Sequence, residues 1–153
     1  MRKSIISLVM LLFAAVAVSA QSTKAEPAAP SIVPLPTEMN VTGDVFVLTN
    51  DTRIVTEFDE KEIKFVKNAL NKIMVDVFGR ELKSASKVKP GDGKYILKKK
   101  DAGKKCGNEG YTLEINKNGI NITAKSAAGV FYAVQTLRQI VPVQAYETPI
   151  DLQ

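Results

Sequence analysis

Between Asp59 and Phe78 the apolar positions Ile63, Val66, Leu70, Ile73, Met74 and Val77 recur in steps of three and four. That spacing puts them on one face of a 3.6-residue period and predicts a helix with a single buried stripe. Lys64, Lys67, Asn68, Asn71 and Lys72 fall mostly on the other side. Asp59 can cap the helix, Glu62 three residues on fits a capping box, and Gly79 can end it in the left-handed conformation. A second stripe, Val130, Val134, Leu137 and Val141 with Phe131 beside it, predicts a helix from the cap Ser126 to about Ile140. Pro142 stops it.

Elsewhere the period is two. Tyr111, Leu113 and Ile115 alternate with polar residues, Asn116-Lys117-Asn118-Gly119 follows, and Ile120, Ile122 and Ala124 alternate again. This predicts a hairpin about an Asn-Gly turn, because Asn and Gly accept the positive φ of tight turns. Pairing Lys117 with Ile120 would set Ile115 opposite Ile122 and Leu113 opposite Ala124, all on one apolar face. Short strands are expected at Val45–Leu48, Arg53–Val55 and Tyr95–Leu97. Ile32-Val33-Pro34-Leu35-Pro36 reads as an extended edge or wrapping segment, since proline cannot serve a central strand. Lys87–Asp92 reads as turn, and Lys98–Gly110 as an exposed hairpin loop or an excursion between strands. The tail Gln144–Gln153 lacks the pattern for another element. Two one-faced helices and several short strands make an α+β layer arrangement.

The first twenty residues have a different pattern. Arg2 and Lys3 precede an uncharged, largely apolar run from Ile5 to Val18, and Val18-Ser19-Ala20 places small residues where a signal peptidase reads. The run falls short of the roughly 20 residues that a membrane span needs. Residues 1–20 are therefore expected to be a signal peptide cleaved before Gln21, followed by a flexible leader, 21–30, rich in Ala and Pro. No Cys follows the apolar run to take a lipid. The folded domain is expected over 31–146, with exported localisation, periplasmic or extracellular. It is far too short for a (β/α)₈ barrel, which takes about 250 residues.

Chemistry is sparse. The 153 residues contain no His and one cysteine, Cys106. The missing imidazole removes the commonest general base and the commonest zinc ligand. A lone Cys makes no intrachain disulfide, and no glycine pattern suits a phosphate cradle. Two of the five net positive charges sit in Arg2 and Lys3, so the remainder is only weakly basic. Lys98-Lys99-Lys100, with Lys104 and Lys105, has no interleaved aromatic residue to stack on bases, and reads as a solvated loop. Asp59, Glu60 and Glu62 suit a helix start, where negative charge is favoured, better than a catalytic pair. Glu109 and Glu114 flank the hairpin's first strand, with Glu114 expected in solvent. With no Trp, the candidates for a sugar platform are Tyr95, Tyr111, Tyr132, Tyr146 and Phe131, and packing accounts for them better. Asn40, Asn50 and Asn121 begin glycosylation sequons. No catalytic, cofactor-binding or metal-ligating residue is assigned, and no nucleic-acid partner is expected.

Three of these segments carry a resemblance. Ile32-Val33-Pro34-Leu35-Pro36 is similar to an opening "I-I-P-x-P" strand. Glu109-Gly110-Tyr111-Thr112-Leu113 is similar to an "E-G-Y-x-L" strand. Gly129 through Ile140, GVFYAVQTLRQI, is similar to a "G-x-x-Y-G-x-Q-T-L-x-Q-L" helix, with Ala133 where glycine is frequent. Together, over about residues 31–146, they resemble the non-catalytic domain that precedes the barrel in glycoside hydrolase family 20, the β-N-acetylhexosaminidases. The resemblance implies an antiparallel sheet with two helices on one face. It implies a structural role beside a catalytic barrel that cleaves terminal N-acetylhexosamines through a Glu, an Asp and the substrate's own acetamido group. None of those catalytic residues has a counterpart among residues 1–153, and residues 147–153 would begin the connection to the barrel. A free-standing secreted module binding carbohydrate or protein is the alternative, with glycan as a possible ligand.

Overall fold

The structure, a computed structural model, describes residues 29–87, 93–103 and 106–147. The expected signal peptide, nearly all of the leader, most of the 87–92 turn, Lys104 and Lys105, and the tail beyond Glu147 lie outside them.

The elements run β1 (Arg53–Thr56), α1 (Glu60–Phe78), β2 (Lys83–Ser84), β3 (Lys94–Lys99), β4 (Tyr111–Asn116), β5 (Gly119–Ala124), α2 (Ala127–Ile140) and α3 (Gln144–Glu147). The strands form one sheet in the order β2-β1-β3-β5-β4, with α1 and α2 packed against it. The α+β class and the two helices are as expected. The strand directions are not. β1 pairs in parallel with both β2 and β3, β3 pairs in parallel with β5, and only β4 with β5 is antiparallel. The sheet is mixed: α1 carries the chain back between β1 and β2, which pair in parallel, whereas the tight turn after β4 makes β5 antiparallel to it. A strand entered after such a crossover runs parallel to the one before it.

The segment from β3 to β4 is an excursion and closes no hairpin, since β5 lies between those two strands. Lys98 and Lys99 already belong to β3. The expected β4–β5 hairpin forms, but two residues out of the expected register: Ile115 faces Ile120, Leu113 faces Ile122 and Asn116 faces Gly119. Lys117 and Asn118 make the turn, and Asn116 Oδ1 accepts the Asn118 N–H at 2.9 Å. Gly119, with φ 151°, supplies the positive φ after the turn, so Asn118 keeps a negative one. A slip of two preserves the face on which every side chain lies, so the apolar set survived the error.

The core sits between sheet and helices. Ile63, Val66, Leu70, Met74 and Ile73 of α1 meet Ile54, Tyr95, Leu97, Ile120 and Ile122 of the strands and Val130, Val134 and Leu137 of α2. α1 ends at Gly79 in the left-handed conformation. The capping box at its start does not form. The Asp59 side chain makes no cap bond; its backbone carbonyl accepts from the N–H groups of Glu62 and Ile63, each at 3.0 Å. Glu62 reaches instead to Lys99 at the end of β3, 2.7 Å away.

Two expected strands pack without joining the sheet. Phe46 and Leu48 lie against the core while Val45 and Val47 point outward, the alternation of a strand without a ladder. The proline-flanked segment wraps α2: Ile32 is buried, and Val33 exchanges two hydrogen bonds with the Gln139 side chain, at 2.9 and 3.1 Å. The tail, expected to lack the pattern for another element, makes the single turn α3, which touches α1 and bonds to α2 through Tyr146.

Among the described residues Tyr95 is the largest fully buried side chain. Its hydroxyl donates to Met74 Sδ at 3.6 Å and the edge of Phe46 meets its ring. Burial pushes its pKa well above the ordinary tyrosine value. The folded chain therefore keeps a proton that the unfolded chain loses above about pH 10. Stability should be unaffected below that pH and fall as pH climbs past it. Urea titrations at pH 8 to 11 should show this loss in the native protein, and a shallower one in Tyr95→Phe.

Candidate functional site

The residues that could carry chemistry are spread over the surface, and Glu60 and Glu62 are occupied by ion pairs. Glu60 pairs with Lys67 at 2.9 Å, Glu62 pairs with Lys99, and Asp59 contributes its backbone carbonyl, so the acidic trio faces no shared space. The Lys99 ammonium also lies 5.5 Å from the centre of the Phe58 ring, and its hydrogen bond to Glu62 raises its pKa. Lys98 and Lys100 are exposed, as are Glu109 and Glu114. Cys106 is exposed with a free thiol. Asn40 and Asn50 are exposed, whereas Asn121 is half-buried within β5.

A shallow polar depression beside β2 is lined by Arg53, Arg80, Lys83 and Glu81 among others. Its guanidinium groups hold the turn before β1. Arg53 donates to the carbonyls of Asn50 and Thr52 at 2.8 and 3.0 Å, and Arg80 donates to that of Thr49 at 3.3 Å. Among the described residues no group of three or more Cys, Asp and Glu is placed to hold a metal ion. None of their helices is long and apolar enough to cross a membrane.

The tyrosines divide by environment. Tyr95 is core. Tyr111, half-buried, shares a 2.6 Å hydrogen bond with the Thr136 hydroxyl. The Tyr146 hydroxyl donates to the Arg138 carbonyl at 3.4 Å, and partial burial raises its pKa. Tyr132 is exposed, beside Phe131.

What the fold does assemble is a junction on α2. Ser126 caps the helix by accepting the Gly129 N–H at 3.3 Å, and its own hydroxyl donates to the Asn108 carbonyl at 2.6 Å. One residue type fits at position 129. A Cβ there would stand 2.7 Å from the Gly110 carbonyl oxygen and 2.9 Å from Ala124 Cβ. A Cβ at Gly110 would collide with the Cys106 carbonyl and its Cβ. One turn on, Ala133 is fully buried, then Thr136 takes the Tyr111 hydroxyl, and Gln139 holds Val33. The three segments singled out in the sequence therefore meet on one helix: Glu109-Gly110-Tyr111 at its start and middle, Ile32-Val33 at its end. Spacing alone could not reveal that meeting, because the segments are separated by up to 106 positions in the chain.

Comparison with known proteins agrees. Residues 29–151 match the family described as glycosyl hydrolase family 20, domain 2. A β-hexosaminidase of Porphyromonas gingivalis is 28% identical over 117 residues, which are 74% of this chain and 14% of that protein. The solved GH20 β-N-acetylhexosaminidase of Streptomyces coelicolor superposes with a TM-score of 0.63 at 30% identity, over 78% of this chain and 24% of that one. A mutant Streptomyces plicatus β-hexosaminidase in complex with its product GlcNAc gives 0.60 at 32% identity, over 79% and 24%. The chain thus spans less than a quarter of the length of each of these relatives.

The junction makes a prediction whose sign is informative. Ala in a helix is ordinarily better than Gly by about 1 kcal/mol. At Gly129 the methyl meets backbone and Ala124, so Gly129→Ala should lower stability by about 1–3 kcal/mol, the usual penalty of overpacking. Urea unfolding followed by circular dichroism reads the difference.

Proposed function

The chain belongs to glycosyl hydrolase family 20, domain 2, and from that membership we propose that it serves as the N-terminal, non-catalytic domain of an exported β-N-acetylhexosaminidase. Its work is to pack against and support a catalytic barrel that releases terminal N-acetylhexosamines. The carrying observation is the α2 junction: the family-like segments are used up in holding one another. Gly110 and Gly129 permit a backbone approach, Tyr111 and Thr136 bond to each other, and Gln139 straps the first segment down. Side chains so engaged build a scaffold. The relatives that are hexosaminidases are more than four times longer than the shared part, and that length accommodates the barrel where the chemistry would be done.

Export is supported by the charged start at Arg2 and Lys3, the uncharged run Ile5–Val18 and the small residues Val18 and Ala20. Delivery outside the cytoplasm would bring the domain and its barrel to glycan substrates.

Two measurements test this. Purified residues 21–153 should release no nitrophenol from p-nitrophenyl N-acetylglucosaminide above the blank rate, and steady turnover by a homogeneous sample would overturn the non-catalytic assignment. Intact-mass and N-terminal sequencing of protein recovered from the periplasm or medium of an expressing bacterium should begin at Gln21. Full-length protein retained in the cytoplasm would refute export.

A further inference from the structure

The depression beside β2 is a place where cations gather. Arg53, Arg80 and Lys83 all line it, against one lining carboxylate, Glu81. β1 and β2 pair in parallel with Arg53 directly in register with Lys83, and neighbouring strands lie about 4.8 Å apart. Successive side chains of a strand alternate between its faces. Ile54 is buried in the core, so Arg53 and Lys83 share the face away from the helices. Like charges opposed across neighbouring strands weaken a sheet. The fold nevertheless adds a third cation. The chain leaves α1 through Gly79 and brings Arg80 to the same depression, its guanidinium 5.1 Å from the centre of the Phe78 ring.

The turn before β1 does not use up these donors. Arg53 gives Nη1 to the Asn50 and Thr52 carbonyls, and its Nη2 lies 3.6 Å from the exposed Asp51 carboxylate. Arg80 gives Nη2 to the Thr49 carbonyl. Arg80 Nε is buried with no hydrogen-bond partner among the described residues. A buried donor without an acceptor is unfavourable, and native folds seldom keep one without a use. The Lys83 ammonium makes no ion pair among the described residues, whereas Lys67 and Lys99 each hold a carboxylate of α1.

We propose that Arg53, Arg80 and Lys83 form a binding site for a tetrahedral oxyanion, sulfate or phosphate. The three cations reach the depression from β1, from the segment after α1 and from β2. A tetrahedral anion offers acceptor oxygens in three directions, whereas a carboxylate offers two in one plane. Charge-assisted bonds from guanidinium groups to such oxygens are among the strong ones, and three cations about one carboxylate give the depression a positive field that draws anions in. The group can arrive as the free ion or as an ester on a glycan. The second source rests on the accessory-domain reading above; the site itself does not.

Titration of isotope-labelled residues 21–153 tests this. Sodium sulfate, sodium phosphate, N-acetylglucosamine 6-sulfate and sodium acetate are each compared with sodium chloride at equal ionic strength, with backbone amide and arginine Nε–H signals followed by NMR. Sulfate should give saturable shifts at Asn50–Arg53 and Arg80–Lys83 and move the Arg80 Nε–H signal, with millimolar affinity or better. Lys83→Gln leaves the guanidinium bonds to the turn in place and should weaken binding about fivefold or more, as loss of an exposed ionic contact does. Lys64→Gln on α1 removes the same charge and should leave binding unchanged. An ester that binds more tightly than free sulfate assigns the glycan source; equal or weaker binding assigns the free ion. Non-saturating shifts no larger than those in chloride would overturn the proposal. So would acetate binding as tightly as sulfate, no weakening by Lys83→Gln, or equal weakening by both variants. Should Lys83→Gln fail to fold, the Arg80 Nε–H signal of the native protein decides, and a signal that sulfate does not move defeats the site. The nitrophenol assay is independent of all these outcomes, so loss of the site leaves the non-catalytic reading standing.

Discussion

The first turn of α2 must lie directly on the backbone that leads into β4, and much of the domain follows from that contact. With Gly129 over the Gly110 carbonyl and Ser126 bound to both Asn108 and the helix's own Gly129 N–H, α2 cannot slide or rise from the sheet. Its apolar stripe is then aimed at Ile120, Ile122 and Ala124, and Thr136 arrives at the Tyr111 hydroxyl. Because a methyl group at position 129 would push the helix off the surface beneath it, a small local dimension sets the spacing of an entire layer. Close packing leaves no slack to absorb such a displacement.

The same helix connects the fold to its surroundings. Its inner side completes the core, its C-terminal end holds the strap at Val33, and its outer side brings Phe131 and Tyr132 beside Phe65. α1 lies parallel to it, since both helices follow parallel strands, and the Glu62–Lys99 pair ties the start of α1 to the end of β3. The pair is partly exposed, so it adds modestly to stability; what it fixes is the position of the helix start.

Much of this was legible beforehand. The steps of three and four from Ile63 to Val77 and from Val130 to Val141 located both long helices, because burial of one face is written directly into spacing. Alternation about Asn116–Gly119 located the hairpin, although its register came out two residues away, since the turn closed on Lys117-Asn118 with the glycine after it. Two local signals failed for a tertiary reason. Asp59 and Glu62 spell a capping box, yet Lys99, thirty-seven positions later, draws the Glu62 carboxylate away. Val45–Leu48 alternates like a strand, yet its neighbours leave it packed by side chains and unpaired.

The absence of imidazole, the single thiol, the two helix stripes, the hairpin and the family-like segments are properties of the sequence by itself, because they depend on residue identity and on contacts a few positions apart. The direction of the strands, the insertion of β5 between β3 and β4, the meeting of three distant segments on α2 and the row of rings across two helices were decided only in three dimensions. Each requires residues many positions apart to share a surface, and no short-range period encodes which surfaces meet.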